Sequence, residues 1–209
     1  MTRFKRVTFG LCVLLLAWPA IADEPIEVVA SQDLNVRRGN DNEGPVKENG
    51  ILHPKKASDD KHPLDRFSMI RFDSQDFGKE VRAVELVLQA KDAETHDGRF
   101  RFRVYAVRDG DEQDEAFTEK DYDPSAEGTL FDGSSNMLDR KQVVVLGAFT
   151  SERGKEIRFS SNLLTSLVRA DRNGTVTLVI ARESDGGEDS VFHDRASETP
   201  PTLRLAKKK

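Results

Sequence analysis

The chain has 209 residues, a third of them charged, with a formal net charge of −5, one cysteine (Cys12) and one tryptophan (Trp18). An acidic balance of this kind excludes a general nucleic-acid binder, which needs a basic domain. A single cysteine excludes an internal disulfide framework and a thiolate metal cluster.

Residues 1–22 read as a secretory signal peptide. Three cations, Arg3, Lys5 and Arg6, precede an apolar run from Val7 to Trp18, and a small-x-small cleavage site follows at Ala20-Ile21-Ala22. The run is too short for a spanning helix, which takes roughly 20 residues. Bulky Leu11 before Cys12 argues against a lipidated cysteine. Cleavage before Asp23 removes both Cys12 and Trp18 and leaves 29 basic against 37 acidic residues, a net of −8. Residues 23–209 are enough for one domain with a continuous core. The expected location is secreted, periplasmic or cell-surface, with no membrane contact after cleavage.

Past residue 25 the signals are those of strands: short, β-branched or aromatic runs bounded by Gly, Pro, Asp or Asn. Strands are expected near 26–30, 33–37, 66–72, 81–90, 99–108, 142–149, 155–159, 174–182, 190–194 and 201–206. The period of two is clearest in Phe100, Phe102, Val104 and Ala106, with Arg99, Arg101, Arg103, Tyr105 and Val107 on the opposite, water-facing side. One helix interrupts the pattern. Leu163, Leu164, Leu167 and Val168 recur at helical spacing after a cap at Ser160 or Ser161, and Asn173-Gly174 ends the run. With no βαβ alternation, the expected fold is all-β, an antiparallel two-sheet β-sandwich of jelly-roll type with one short helix. Two long polar stretches, Gly39 to Leu64 and Asp109 to Gln142, are read as loops of the sort that carry binding residues.

Five segments occur in an order that resembles the DNRLRE (disaggregatase-related repeat) family of carbohydrate-binding modules. They are Gln32-Asp33-Leu34-Asn35-Val36 with Asn42-Glu43-Gly44, Ser68-Met69-Ile70-Arg71-Phe72-Asp73, Val81 to Leu88, Phe102-Arg103-Val104-Tyr105-Ala106-Val107, and Phe192-His193-Asp194-Arg195-Ala196-Ser197 with Pro201 to Leu205. The resemblance spans nearly all of residues 23–209 and implies a non-catalytic β-sandwich that binds polysaccharide. The family's central motif with two tryptophans is reduced to Asp114-Glu115-Ala116-Phe117-Thr118, and both tryptophans are absent.

The Arg99, Arg101, Arg103 stripe with Tyr105 is the main ligand-binding candidate, because guanidinium forks match carboxylates and sulfates and a tyrosine packs on a sugar ring. An anionic polysaccharide is therefore the expected partner. The competing reading has these arginines paired across the sheet with Glu85 or Glu156. Arg71 and Arg195 are further candidates, each with a neighbouring carboxylate that offers a structural pairing instead. Asp33, Asn35 and Asp41, and separately Asp109, Asp111, Asp114 and Glu115, are candidate ligands for a structural calcium, although the EF-hand spacing is not met. No other cofactor is expected.

Four scattered histidines, His53, His62, His96 and His193, and the lack of a nucleophile or metalloprotease motif point away from catalysis. A glycoside hydrolase would need two carboxylates at catalytic separation, and nothing singles out a pair. The leading expectation is an extracytoplasmic binding module for an acidic polysaccharide. The alternative is a structural or protein-interaction surface domain, with a cell-surface protein partner, that has lost sugar binding.

Overall fold

A computed structural model describes residues 24–38, 44–46, 50–56, 65–91, 99–108, 138–183 and 191–207. Among the described residues ten strands and one helix follow in order: β1 (Ile26–Val29), β2 (Gln32–Arg38), β3 (Gly44–Val46), β4 (Asp65–Asp73), β5 (Val81–Gln89), β6 (Phe100–Val107), β7 (Val143–Ser151), β8 (Glu156–Ser160), α1 (Asn162–Ala170), β9 (Thr175–Arg182) and β10 (Thr202–Lys207). They form a four-stranded sheet in the order β1-β10-β5-β8 and a six-stranded sheet in the order β3-β2-β4-β9-β6-β7. Every pairing is antiparallel. The expected all-β sandwich is the fold.

Consecutive strands mostly alternate between sheets, so each apolar face closes on its neighbour in sequence. The first crossing takes two residues: Ala30 N–H donates to the Pro201 carbonyl of one sheet and Ser31 N–H to the Arg71 carbonyl of the other, both at 2.9 Å. Between the layers the inward residues of β6, Phe100, Phe102, Val104 and Ala106, meet Ile70 and Phe72 of β4 and Leu86 and Leu88 of β5. Phe102 stacks on Phe149 with ring centroids 5.4 Å apart and meets Phe192 edge-on at 5.1 Å. Aromatic pairs in these geometries add about 0.5–1.5 kcal/mol beyond the area they bury.

The helix closes one end. Ser161 is its N-cap, accepting from Leu164 N–H at 3.0 Å, and Asp171 is its C-cap. Leu164 and Val168 are buried, whereas Leu163, read from sequence as part of the apolar stripe, is 54% exposed. Gly174 follows with φ +78°, and a Cβ there would sit 3.1 Å from the Ser74 carbonyl oxygen. Only glycine meets both demands without strain.

Three sequence expectations need correction. Of the strand expected at 190–194, the described residues 191–194 form none: Phe192 makes isolated bridges to Leu52 and Ala90, and the chain then turns at Asp194, whose carboxylate accepts from Ala196 N–H at 3.0 Å. β3 falls inside the stretch read as loop, too short and Pro-containing to show a period. The far side of β6 does not simply face water. Arg101 is exposed, but Val107 is buried in a second apolar cluster with Leu34, Val36, Phe67, Met69, Leu138, Val143, Val179 and Ala181 on the outer face of the six-stranded sheet. For that reason all eight residues of β9 are buried, and no single-face alternation survives in it.

Candidate functional site

The alternation of β6 sets the site. Arg101, Arg103 and Tyr105 project from the outer face of the six-stranded sheet, opposite the core-facing Phe102 and Val104. Across the ladders Arg103 lies opposite Ala181 of β9 and Ala148 of β7, and Tyr105 opposite Val179 and Val145. A β-bulge in β7 leaves Leu146 as the extra residue between the pairs Val104–Gly147 and Tyr105–Val145 and shifts the phase of β7. Its effect is that Val143 and Val145 share the outer face with Tyr105 while Leu146 enters the core. Gly147 has φ +149°, and the Phe159 ring lies 3.1 Å from where a Cβ would stand.

These residues border a groove of about 430 Å³. Its floor is apolar, made by Phe67, Tyr105, Val143, Val145 and Ala181, and Lys55, Lys56, Arg66, Arg103 and Arg140 stand along its walls. Two carboxylates, Asp65 and Glu183, also line it. These five cations come from four separate stretches of chain, and Arg182 of β9 adds a sixth from a fifth stretch. Lys55 is held at the groove by a bridge to Arg66 of β4, with backbone bonds of 3.0 and 2.8 Å. Arg66 Nη1 lies 2.6 Å from Nδ1 of the buried His53.

The anchor of that wall is Asn35 of β2, which is 4% exposed. Its Oδ1 accepts from His53 N–H at 2.8 Å and from the Ser68 hydroxyl at 2.7 Å, and its Nδ2 donates to the Ile51 carbonyl at 2.9 Å. Asn35 therefore ties residues 51–53 to the sheet. The Oδ1 of this candidate calcium ligand is engaged by His53 N–H and the Ser68 hydroxyl.

No protein-family model and no curated protein matches the chain.

The six candidate binding residues do not converge. Arg103 and Tyr105 line the groove, and Arg101 and Arg99 lie outside its lining. Each arginine of the stripe meets a carboxylate, but neither Glu85 nor Glu156. Arg99 pairs with Glu152 at 2.7 Å, while Arg101 at 2.8 Å and Arg103 share the two oxygens of Glu183. Glu85 and Glu156 belong to the other sheet, where they flank Arg158. Through its hydrogen bond to Glu156, the charge of that residue and the charge of Glu85, Arg158 is held above the ordinary arginine range, in spite of an opposing desolvation.

Arg71 lies opposite Thr177 of β9, four positions and about 13 Å from Ala181 opposite Arg103. Its Nε donates to Asp73 at 2.9 Å and its Nη2 to the Thr175 hydroxyl at 3.3 Å. Burial pushes the Asp73 carboxyl up, but hydrogen bonds from Ser31, Arg71 and Thr175 together with the Arg71 charge hold it below its ordinary value. Arg195 sits beside β2, its backbone N–H donating to Asp33 at 2.7 Å and its Nε 3.7 Å from the same carboxylate. Arg71 and Arg195 thus have structural partners, as does Asp33. Asp41 and the acidic candidates at 109–115 lie outside the described residues. Among the described residues no three His, Cys, Asp or Glu side chains are grouped to hold a metal ion.

Sequence reasoning missed Lys55, Lys56, Arg66 and Arg140. The adjacent Lys55-Lys56 and the arginine opening β4 are visible signals of charge, but only the folded sheet brings them beside β6.

Proposed function

We propose that the chain is an exported, non-catalytic binding module for an acidic polysaccharide, a polyuronate or sulfated glycan, received in the groove beside Arg103 and Tyr105. The observation that carries this reading is the cationic wall of Lys55, Lys56, Arg66, Arg103 and Arg140 over an apolar floor. A sugar ring offers an apolar C–H face to such a floor and directs its carboxylate or sulfate groups to the rim, where guanidinium forks bind them in two-point fashion. Tyr105 is rooted in the outer apolar cluster, which limits its rotamers and reduces the entropy lost on stacking. The signal-peptide pattern supports export, and the order of DNRLRE-like segments supports a sugar-binding module built on a β-sandwich.

The test is retention of the purified mature chain on pectate, alginate and sulfated glycans with a salt titration. Binding through several phosphate-like or carboxylate contacts weakens steeply with salt, and Arg103→Ala with Arg140→Ala should abolish retention while leaving the far-ultraviolet circular dichroism unchanged. No retention on any of the three at low salt sinks the proposal. One observation favours a second reading, a surface domain that binds protein or serves structure alone: all three stripe arginines already hold carboxylates. In that case the double variant leaves every glycan result as flat as the parent's.

A further inference from the structure

Glu183 occupies an unusual position in the groove. It follows the last residue of β9, and its backbone N–H donates to the Arg101 carbonyl at 2.8 Å, so the ladder itself fixes where its side chain starts. From there one carboxylate oxygen reaches Arg101 Nε at 2.8 Å and the other reaches Arg103 Nη2. The pair of arginines is more open than the carboxylate between them: the side chains of Arg101 and Arg103 are 66% and 40% exposed and that of Glu183 is 23% exposed. A carboxylate lodged between two guanidinium groups at the wall of a cationic groove has the chemistry expected of an acidic sugar there. Exposed pairs of this kind are weak, so a competitor of the same charge can displace one.

Resting on the proposed polysaccharide reading, we infer that Glu183 is a built-in competitor for the groove, an intramolecular carboxylate that holds Arg103 until a ligand carboxylate or sulfate replaces it. It sets affinity and selectivity in two ways. It disfavours ligands of low charge density, whose contacts to the arginines do not compensate for its displacement, and it keeps Arg101 and Arg103 in place between binding events. Ligands with closely spaced charges are favoured over sparsely charged ones.

The experiment is calorimetric titration of the mature chain, Glu183→Gln and Glu152→Gln with oligogalacturonate. The two substitutions change net charge equally, but Glu152 pairs with Arg99 outside the groove lining. Removing the competitor should tighten binding roughly 5- to 10-fold in Glu183→Gln, while Glu152→Gln should stay within about 2-fold of the parent. In the unmodified chain the Nε–H resonances of Arg101 and Arg103 should shift together as ligand is added, a readout that needs no variant. Equal gains in both variants would reduce the effect to net charge and overturn the inference, as would weaker binding in a folded Glu183→Gln. An unmodified chain that binds without moving the two resonances also overturns it and leaves the polysaccharide reading standing. If neither the parent nor Glu183→Gln binds oligogalacturonate and the parent is not retained on alginate or sulfated glycans either, the polysaccharide reading itself falls and this inference with it.

Discussion

Asn35 shows how much a single buried amide can organise. Its three hydrogen bonds satisfy Ile51, His53 and Ser68 at once, so truncation leaves three buried or half-buried polar groups without that partner. Asn35→Ala should cost about 2–4 kcal/mol in urea unfolding and should loosen the Lys55 wall before the core. A loss under about 1 kcal/mol would mean that water replaces the amide. Asp73 carries a pH dependence of known sign. Its carboxyl titrates lower in the folded chain than in the unfolded one, so the stabilisation is complete above the ordinary carboxylate value and disappears as pH falls through the lowered one. In Asp73→Asn the acid limb of stability against pH should flatten, and an unchanged limb would show the interaction to be screened. His193 has the opposite charge and the same direction of loss: burial first, then the Lys91 charge, hold its imidazole below the ordinary value in spite of Asp194 and Glu198, so acidification through that range charges a group the fold prefers neutral.

Among the elements, the turn between α1 and β9 is tightly constrained by backbone geometry. Gly174 combines φ +78° with a Ser74 oxygen 3.1 Å from a would-be Cβ, and its carbonyl accepts from Ser74 N–H at 2.8 Å. Gly154 has φ +65° and nothing within 4 Å. Gly154→Ala should therefore cost only the left-handed backbone penalty of about 1 kcal/mol, whereas Gly174→Ala should cost clearly more, roughly 2–3 kcal/mol, because the Ser74 backbone that follows β4 must also give way. Equal losses in thermal unfolding would show that the Ser74 contact relaxes freely. The strand pattern of β4, β5 and β6 was legible because each has a continuous face against the other sheet. β9, expected near 174–182 and found at Thr175–Arg182, was legible from its β-branched run even though both of its faces are covered, whereas residues 191–194 mislead because a β-rich composition at a crossing point yields bridges to Leu52 and Ala90 and no ladder.

At the level of the whole molecule, Phe192 links what the sheets leave apart. It is fully buried, meets the Phe102 and Phe149 rings edge-on at 5.1 and 6.0 Å, and exchanges backbone bonds with Leu52. Phe192→Ala should destabilise by about 3–5 kcal/mol and, because Leu52 belongs to the segment that carries Lys55 and Lys56, should weaken glycan retention in parallel. Full stability in the variant would place the core's closure elsewhere. A second long-range contact is Arg182, 4% exposed, whose guanidinium carbon lies 3.9 Å from the Phe100 ring centroid. Its position at the end of an apolar run gives no hint of burial.

Local pattern was sufficient for the architecture. Period-two faces in β4, β5 and β6, capping at Ser161 and turn glycines act over a few residues, and two apolar sheet faces can hide from water only by closing on one another. The groove is of another kind. Lys55, Arg66, Arg103 and Arg140 come from four stretches with no spacing in common, and Glu183 reaches Arg101 and Arg103 only because β9 runs antiparallel beside β6. Charge repels or attracts across space without regard to position along the chain, so the arrangement of these cations, and the carboxylate that occupies one of them, exists only once the strands have taken their order.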